Sequence, residues 1–264
     1  MNVSDFKVTS NCESYTDKEL AKQWDSIDWN KASTYISRLQ IRIVKAEQDK
    51  KFSLVKRLQY LITHSFYGKA LAIKRVTTNK GKKTPGIDGI TWLESEEKMK
   101  AISMLKSKGY KTTPLKRVYI EKYGKKEKRP LSIPTIKDRA MQALYLLALE
   151  PIAETNADII SFGFRKYRSA HDAQKHIHNL LATKRSPQWI IEGDIRACFD
   201  SISHEWMNKN IPMDKEILNK FLKAGYIFKK ELFPTTEGAA QGGLCRARHN
   251  PPYVELDIMP SYSL

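Results

Sequence analysis

From Lys31 the chain sets apolar residues at Ala32, Tyr35, Ile36, Leu39 and Ile43, with Lys31, Arg38, Arg42 and Lys45 between them. Spacing by threes and fours gathers the apolar positions on one side of a helix and leaves the bases on the other. Leu54, Val55, Leu58, Leu61 and Ile62 repeat the pattern beside Lys50, Lys51, Lys56 and Arg57, so two consecutive basic amphipathic helices are predicted. Residues 117–121 and 129–133 read as strands and 122–128 as their turn, which makes a basic hairpin. Thr135 stands three residues before Asp138, as in a capping box, at the head of an apolar run that ends at Pro151. The stripe of Met141, Leu144, Leu147 and Ala148 along that run is ordinary packing. Trp189, Ile190 and Ile191 lead into Glu192, Gly193, Asp194 and Ile195, an apolar strand that ends in acids. A helix from His204 and another over 215–224, with Leu218, Phe221 and Leu222 inward and Gly225 as its stop, complete the pattern. The class is α+β.

Composition narrows the partners. Of 264 residues, 46 are Lys or Arg and 29 Asp or Glu, a formal charge of +17 that favours a polyanionic partner. The excess is steepest over 111–139, where ten bases meet three acids. For any one helix a solvated charged face is the competing reading, but the bias repeats along the chain and favours RNA. Apolar runs such as 143–149 fall well short of the ~20 residues that span a bilayer. Asp5, Glu13, Asp17 and Glu19 interrupt a polar N-terminus with no apolar signal core, so residues 1–23 read as a mobile leader of a protein that is not secreted. Three scattered cysteines suit a reducing compartment and give no zinc pattern, and His171, His176 and His178 read as solvated or RNA-facing. The Gly-rich, Lys-rich stretch 79–89 reads as an exposed loop.

Seven stretches resemble, in order, the reverse transcriptases encoded in bacterial and organellar group II introns. They are THSFYGKALAIKRV from Thr63, KTPGIDGITW from Lys83, RPLSIPTIKDRAMQAL from Arg129, LEPIAE from Leu149, SFGFRKYRSAHDA from Ser161, EGDIRACFDSISH from Glu192 and QGG from Gln241. Each alone is weak; together, over about 180 residues, they are specific. The resemblance implies a helical N-terminal domain over 24–105, then fingers and the first part of a right-hand palm over 106–243. It implies RNA-directed DNA synthesis and intron RNA binding in splicing, in the bacterial cytoplasm or an organellar matrix. The partners implied are intron RNA, an RNA template with its DNA primer, and deoxynucleoside triphosphates; no membrane is involved, and a homodimer is left open.

The same resemblance assigns roles. Asp194 would be a carboxylate holding two Mg²⁺ ions, with the carbonyl of Ile195 as a further oxygen ligand. Phe199 would lie under the incoming sugar and exclude a 2′-hydroxyl, and Gln241 would line the nucleotide pocket. Lys122 and Arg129 would clamp the triphosphate, a mobile point charge beside a bidentate fork. Arg165 would touch the template, and Arg38, Arg42, Lys56 and Arg57 would bind RNA.

Two departures stand near the C-terminal end. Ala239 and Ala240 replace the family's proline before QGG, and 244–264 carry Asn250, Pro251, Pro252 and Pro260 where an apolar helix is expected. The 264 residues contain no Tyr-x-Asp-Asp hairpin and no thumb. The expectation is an aberrant tail following a frameshift or interrupted gene, and no polymerase activity from this chain alone. A non-catalytic RNA-binding remnant is the second reading, and an unrelated basic nucleic-acid-binding protein the third.

Overall fold

The structure, a computed structural model, describes residues 15–121, 128–163, 165–193 and 198–239. Among these, α1 (Asp17–Asp25), α2 (Trp29–Gln48), α3 (Phe52–His64), α4 (Phe66–Thr78) and α5 (Ser95–Met104) come first. The hairpin β1 (Leu115–Glu121) and β2 (Lys128–Ile133) then feeds the long α6 (Ile136–Asn156). After it come α7 (Ala170–Leu181), a 3-10 turn at Cys198–Asp200, α8 (His204–Asn210), α9 (Lys215–Leu222), β3 (Tyr226–Phe228) and β4 (Glu231–Phe233). The expected mixed class is present, a helical N-terminal region followed by a four-stranded sheet of order β2-β1-β3-β4. Within it β1 pairs antiparallel with β2 and parallel with β3. No helix among the described residues is long and apolar enough to cross a membrane.

The periodicity from Lys31 folds as α2, which buries Ala32, Ile36, Leu39 and Ile43, and α3 buries Val55, Leu58 and Ile62. Both press on Ala148 and Ile152 of α6. Nearer the N-terminal end of α6, Met141, Leu144 and Tyr145 join a larger core with Trp24, with Ile73 and Val76 of α4, and with Ile217 and Leu218 of α9. A helix apolar on most of its circumference is a core helix, so the single stripe read from sequence is too narrow.

Helix α6 also runs past Pro151, where its apolar run was expected to stop. Proline has no N–H for the carbonyl four residues earlier, which here is that of Leu147. Gln40 of α2 supplies the missing donor, its Nε2 lying 2.8 Å from the Leu147 carbonyl oxygen. Gln40→Ala is expected to leave that carbonyl unpaired and cost about 1–2 kcal/mol, read as a lower urea midpoint. An unchanged midpoint would mean that the carbonyl finds another donor.

Three other expectations need correction. Helix α1 starts inside the stretch taken for a leader, because Thr16 and Glu19 form a capping box, with Thr16 N–H 2.8 Å from Glu19 Oε2. It is tied down by Lys100 to Asp17 at 2.6 Å and by buried Trp24, edge-on to Trp29. Residues 1–14 and the tail 244–264 lie outside the described residues. The 79–89 loop is exposed at Lys82 and Lys83 yet anchored beneath. Arg139 donates to the carbonyls of Gly81 (3.0 Å) and Thr84 (2.7 Å), and a Cβ on Gly86 would lie 2.6 Å from Thr135 Cα. Lastly, residues 189–193 form no strand, and Trp189 and Ile191 are 90% and 97% exposed. A strand needs a neighbour for its N–H and C=O groups, and no described strand runs beside this segment.

Candidate nucleic-acid interface

Because the apolar residues of α2 and α3 face α6, their bases face outward. Arg38, Arg42, Lys56 and Arg57 are all exposed. None of the four pairs with a carboxylate among the described residues. Unpaired bases on neighbouring helices can each displace a counterion from a phosphate backbone without first breaking an internal contact.

The second part of the interface lies at the sheet. Arg129 sits on β2 opposite Ile120 of β1 in the expected antiparallel hairpin, whose second strand begins one residue earlier than expected, at Lys128. Lys122, in the turn, lies outside the described residues, as do Asp194, Ile195 and Gln241. What the structure does place are their flanks. Half-buried Phe199 belongs to the 3-10 turn, and its carbonyl accepts from the Ala239 N–H at 2.8 Å. Gly238 N–H donates to the Ile202 carbonyl at 2.8 Å, and buried His204 holds the Gly238 carbonyl through Nε2 at 2.9 Å. The segment that approaches Gln241 is thereby laid on the turn that follows Asp194.

Gly238 is required for this contact. Its φ is +76°, and an added Cβ would stand 2.6 Å from the Asp200 carbonyl oxygen. Between this clamp and the hairpin is a cavity of about 390 Å³ lined by Arg117, Pro130, Ser132, Asp200, Glu237 and Gly238 among others. Arg117 lies over the ring of Tyr226 of β3, its Cζ 3.8 Å from the ring centre. The Arg117 Nε and the Ser132 hydroxyl are buried with no hydrogen-bond partner among the described residues. The cavity therefore has polar capacity that the protein leaves unmet. Sequence reading missed Arg117, Ser132 and Gly238. Only the SISH tetrapeptide and the glycine before Ala239 hinted at the clamp.

Arg165, expected at the template, is held by contacts within the protein. Its guanidinium pairs with Glu154 near the C-terminal end of α6 and donates to the carbonyls of Asp158 and Ser161, leaving the side chain 12% exposed. It braces the loop that follows α6 and holds the exposed Lys166, Tyr167 and Arg168 beside it. Among the described residues no three His, Cys, Asp or Glu side chains gather into a metal site. Asp194 and the Ile195 carbonyl would be hard oxygen ligands, and such ligands suit Mg²⁺ by donor type.

Two family models match the chain. One described as "N-terminal domain of reverse transcriptase" covers residues 24–105, and one described as "Reverse transcriptase (RNA-dependent DNA polymerase)" covers residues 120–245. The "Group II intron-encoded protein LtrA" of Lactococcus lactis subsp. cremoris is 37% identical over 217 residues, covering 77% of this chain and 35% of that protein. "Protein YkfC" of Escherichia coli is 34% identical over 203 residues, covering 72% of this chain and 53% of its own length. The "Putative COX1/OXI3 intron 1 protein" of Saccharomyces cerevisiae is 31% identical over 187 residues, 66% of this chain and 22% of that protein. The chain belongs to the group II intron-encoded reverse transcriptase and maturase family. It spans about a third of LtrA and about half of YkfC.

Proposed function

We propose that this chain supplies the RNA-binding N-terminal domain, the fingers and the first part of the palm of an enzyme that copies RNA into DNA and assists intron splicing. The observation that carries this reading is the pairing of two exposed basic helices with a clamp that seats the approach to Gln241 on the turn bearing Phe199. In this reading Arg38, Arg42, Lys56 and Arg57 track intron RNA. Phe199 blocks a 2′-hydroxyl, Gln241 lines the nucleotide pocket, and Lys122 and Arg129 hold the triphosphate. Asp194 and the Ile195 carbonyl hold Mg²⁺, which when bound lowers the barrier to attack by the primer 3′-hydroxyl. Arg165, braced in the loop that follows α6, touches the template. The enzyme works on intron RNA, or on an RNA template with a DNA primer and deoxynucleoside triphosphates, in the bacterial cytoplasm or an organellar matrix.

In these 264 residues Asp194 is the one carboxylate that matches the family's metal-holding set, because no Tyr-x-Asp-Asp accompanies it. One aspartate does not hold two ions, so primer extension by this chain alone with Mg²⁺ is expected to yield no product. Synthesis abolished by Asp194→Asn would contradict that expectation. The same assay, repeated with the palm and thumb portion of a relative added in trans, tests the polymerase reading. Product dependent on Asp194 supports it.

A further inference from the structure

Beside the α6 seam, α3 forms one wall of a cavity of about 810 Å³ that Tyr145 and Ala148 of α6 also line and whose other wall is the turn between α8 and α9. Its construction is polar and fixed. Gln59 of α3 donates through Nε2 to the Pro212 carbonyl at 2.7 Å, fastening the two walls together. Tyr60 is 60% exposed at the rim, yet its ring is not free to wander, because His64 stacks on it at 3.7 Å between centroids with planes 19° apart. His64 is itself held, its Nδ1 3.0 Å from the Tyr60 carbonyl and its Nε2 3.4 Å from Ser107 Oγ. A large ring backed on one face and open on the other contributes little to the core. It is the arrangement that receives a second flat π-system.

The charges around the ring have one sign to spare. Lys56, Lys209 and Lys215 line the cavity with Glu47 and Asp214. Both acids already have partners: Glu47 Oε1 accepts from Asn156 Nδ2 at 3.0 Å, and Asp214 Oδ1 accepts from the Ile217 N–H at 3.0 Å, capping α9. Lys215 reaches back to the Ile211 carbonyl at 2.6 Å. Burial, and then the ammonium of Lys56, hold Lys215 below the ordinary lysine range. Two like charges turned toward one space are relieved by an anion between them.

We propose that this cavity binds one unstacked nucleotide of a single-stranded RNA, the base on the open face of Tyr60 and the phosphate between Lys56 and Lys215. This rests on the RNA-binding reading above and deepens it, giving the basic face of α3 a base-stacking site as well as charge. Stacking accepts any base, so the site selects single-stranded character rather than sequence.

The test uses the full chain and a single-stranded RNA of about 12 nucleotides carrying one 2-aminopurine, with binding followed both by anisotropy and by aminopurine fluorescence. Binding is expected to quench the aminopurine. Tyr60→Leu should abolish the quench and weaken binding about 5- to 50-fold, while Tyr60→Phe keeps both. Lys215→Met should lower the salt slope by about one, and Lys18→Met, on the exposed face of α1, should leave the quench intact. Thermal melts of the variants guard against misfolding, which is not expected of so exposed a ring. RNA that binds with normal salt dependence but stays unquenched, or is indifferent to Tyr60→Leu, overturns the pocket and leaves the RNA-binding reading standing. Absence of any RNA binding overturns both. Equal quenching of free 2-aminopurine ribonucleotide would overturn the assignment to a strand and make this a mononucleotide site.

Discussion

Asp138→Ala is expected to destabilise the protein by about 3–5 kcal/mol, among the largest effects of any single change. The carboxylate is buried at the start of α6 and gathers three donors: Tyr110 Oη at 2.6 Å, Thr135 Oγ1 at 2.8 Å and the Thr113 N–H at 3.2 Å. Alanine removes the shared acceptor from all three at once, and a buried donor that loses its acceptor costs about 1–3 kcal/mol. The change also loosens the join between α6 and the segment that leads into β1. Urea unfolding monitored by circular dichroism gives the number, and a loss below about 1 kcal/mol would show that the donors are re-satisfied elsewhere.

The pH dependence of this residue carries a definite sign. Burial raises the Asp138 pKa above its ordinary value, outweighing the hydrogen bonds from Tyr110, Thr135 and Thr113 that lower it. The folded protein therefore holds this proton more tightly than the unfolded chain does. The stabilisation is fully present below the unfolded pKa and is lost as pH rises through the raised folded value. Measured against non-titrating Asp138→Asn, the wild-type advantage should widen as pH falls from neutrality toward the carboxylate range. A gap that narrows on acidification would reverse the assignment.

Gly238→Ala is the second large effect, and it bears on the site. Alanine must adopt a positive φ while its Cβ stands 2.6 Å from the Asp200 carbonyl oxygen and 2.8 Å from Asp200 C and Cα. These are backbone atoms that cannot swing aside, so left-handed strain of about 1–2 kcal/mol adds to an overlap costing about 1–3 kcal/mol. The cheaper outcome is detachment of 234–239 from the turn, with loss of the bonds to Ile202, Phe199 and His204. Hydrogen exchange should show the amides of Gly238 and Ala239 deprotected by about two orders of magnitude, with the α6 core unchanged. Unchanged protection there would mean that the clamp tolerates a side chain, and that Gln241 is positioned by something else.

How much of this was legible follows from the range over which each signal acts. Periodicity is local, so α2 and α3, the hairpin, and the Thr135 cap of α6 could all be read from the chain. The continuation of α6 through Pro151 could not, because the donor that makes it tolerable, Gln40, is 107 residues distant from Leu147. Helix α1 was obscured by its polarity, although its Thr16-x-x-Glu19 box was in plain view. Strands β3 and β4 are three residues each and owe their existence to β1, with Lys229 and Lys230 both at positive φ in the turn between them. The opposite error occurred at Trp189, where a good strand sequence finds no strand to pair with among the described residues.

The site divides in the same way. Charge identifies candidate RNA contacts, and the four bases of α2 and α3 are indeed exposed. Charge alone does not say where a guanidinium will be used. Arg139 and Arg165 sit in basic surroundings as well, yet Arg139 is turned onto carbonyls of the distant 79–89 loop and Arg165 onto those of the loop just before it. The residues that organise the neighbourhood of Phe199 act through main-chain contacts over long separations, His204 to Gly238 among them, and such contacts leave no local pattern to find.

In the proposed function the chain grips RNA through the exposed basic faces of α2 and α3. The most direct test of that grip is the affinity for a labelled group II intron RNA as a function of salt, compared with a variant in which Arg38, Arg42, Lys56 and Arg57 are all replaced by glutamine. Four phosphate contacts contribute about −3 to −4 to the log–log slope, hence about a hundredfold of the affinity lost between about 50 and about 200 mM salt, and the variant should lose that share and keep only the slope due to other bases such as Lys215. A flat response in the unaltered chain, or a slope that the four replacements leave unchanged, would contradict the account.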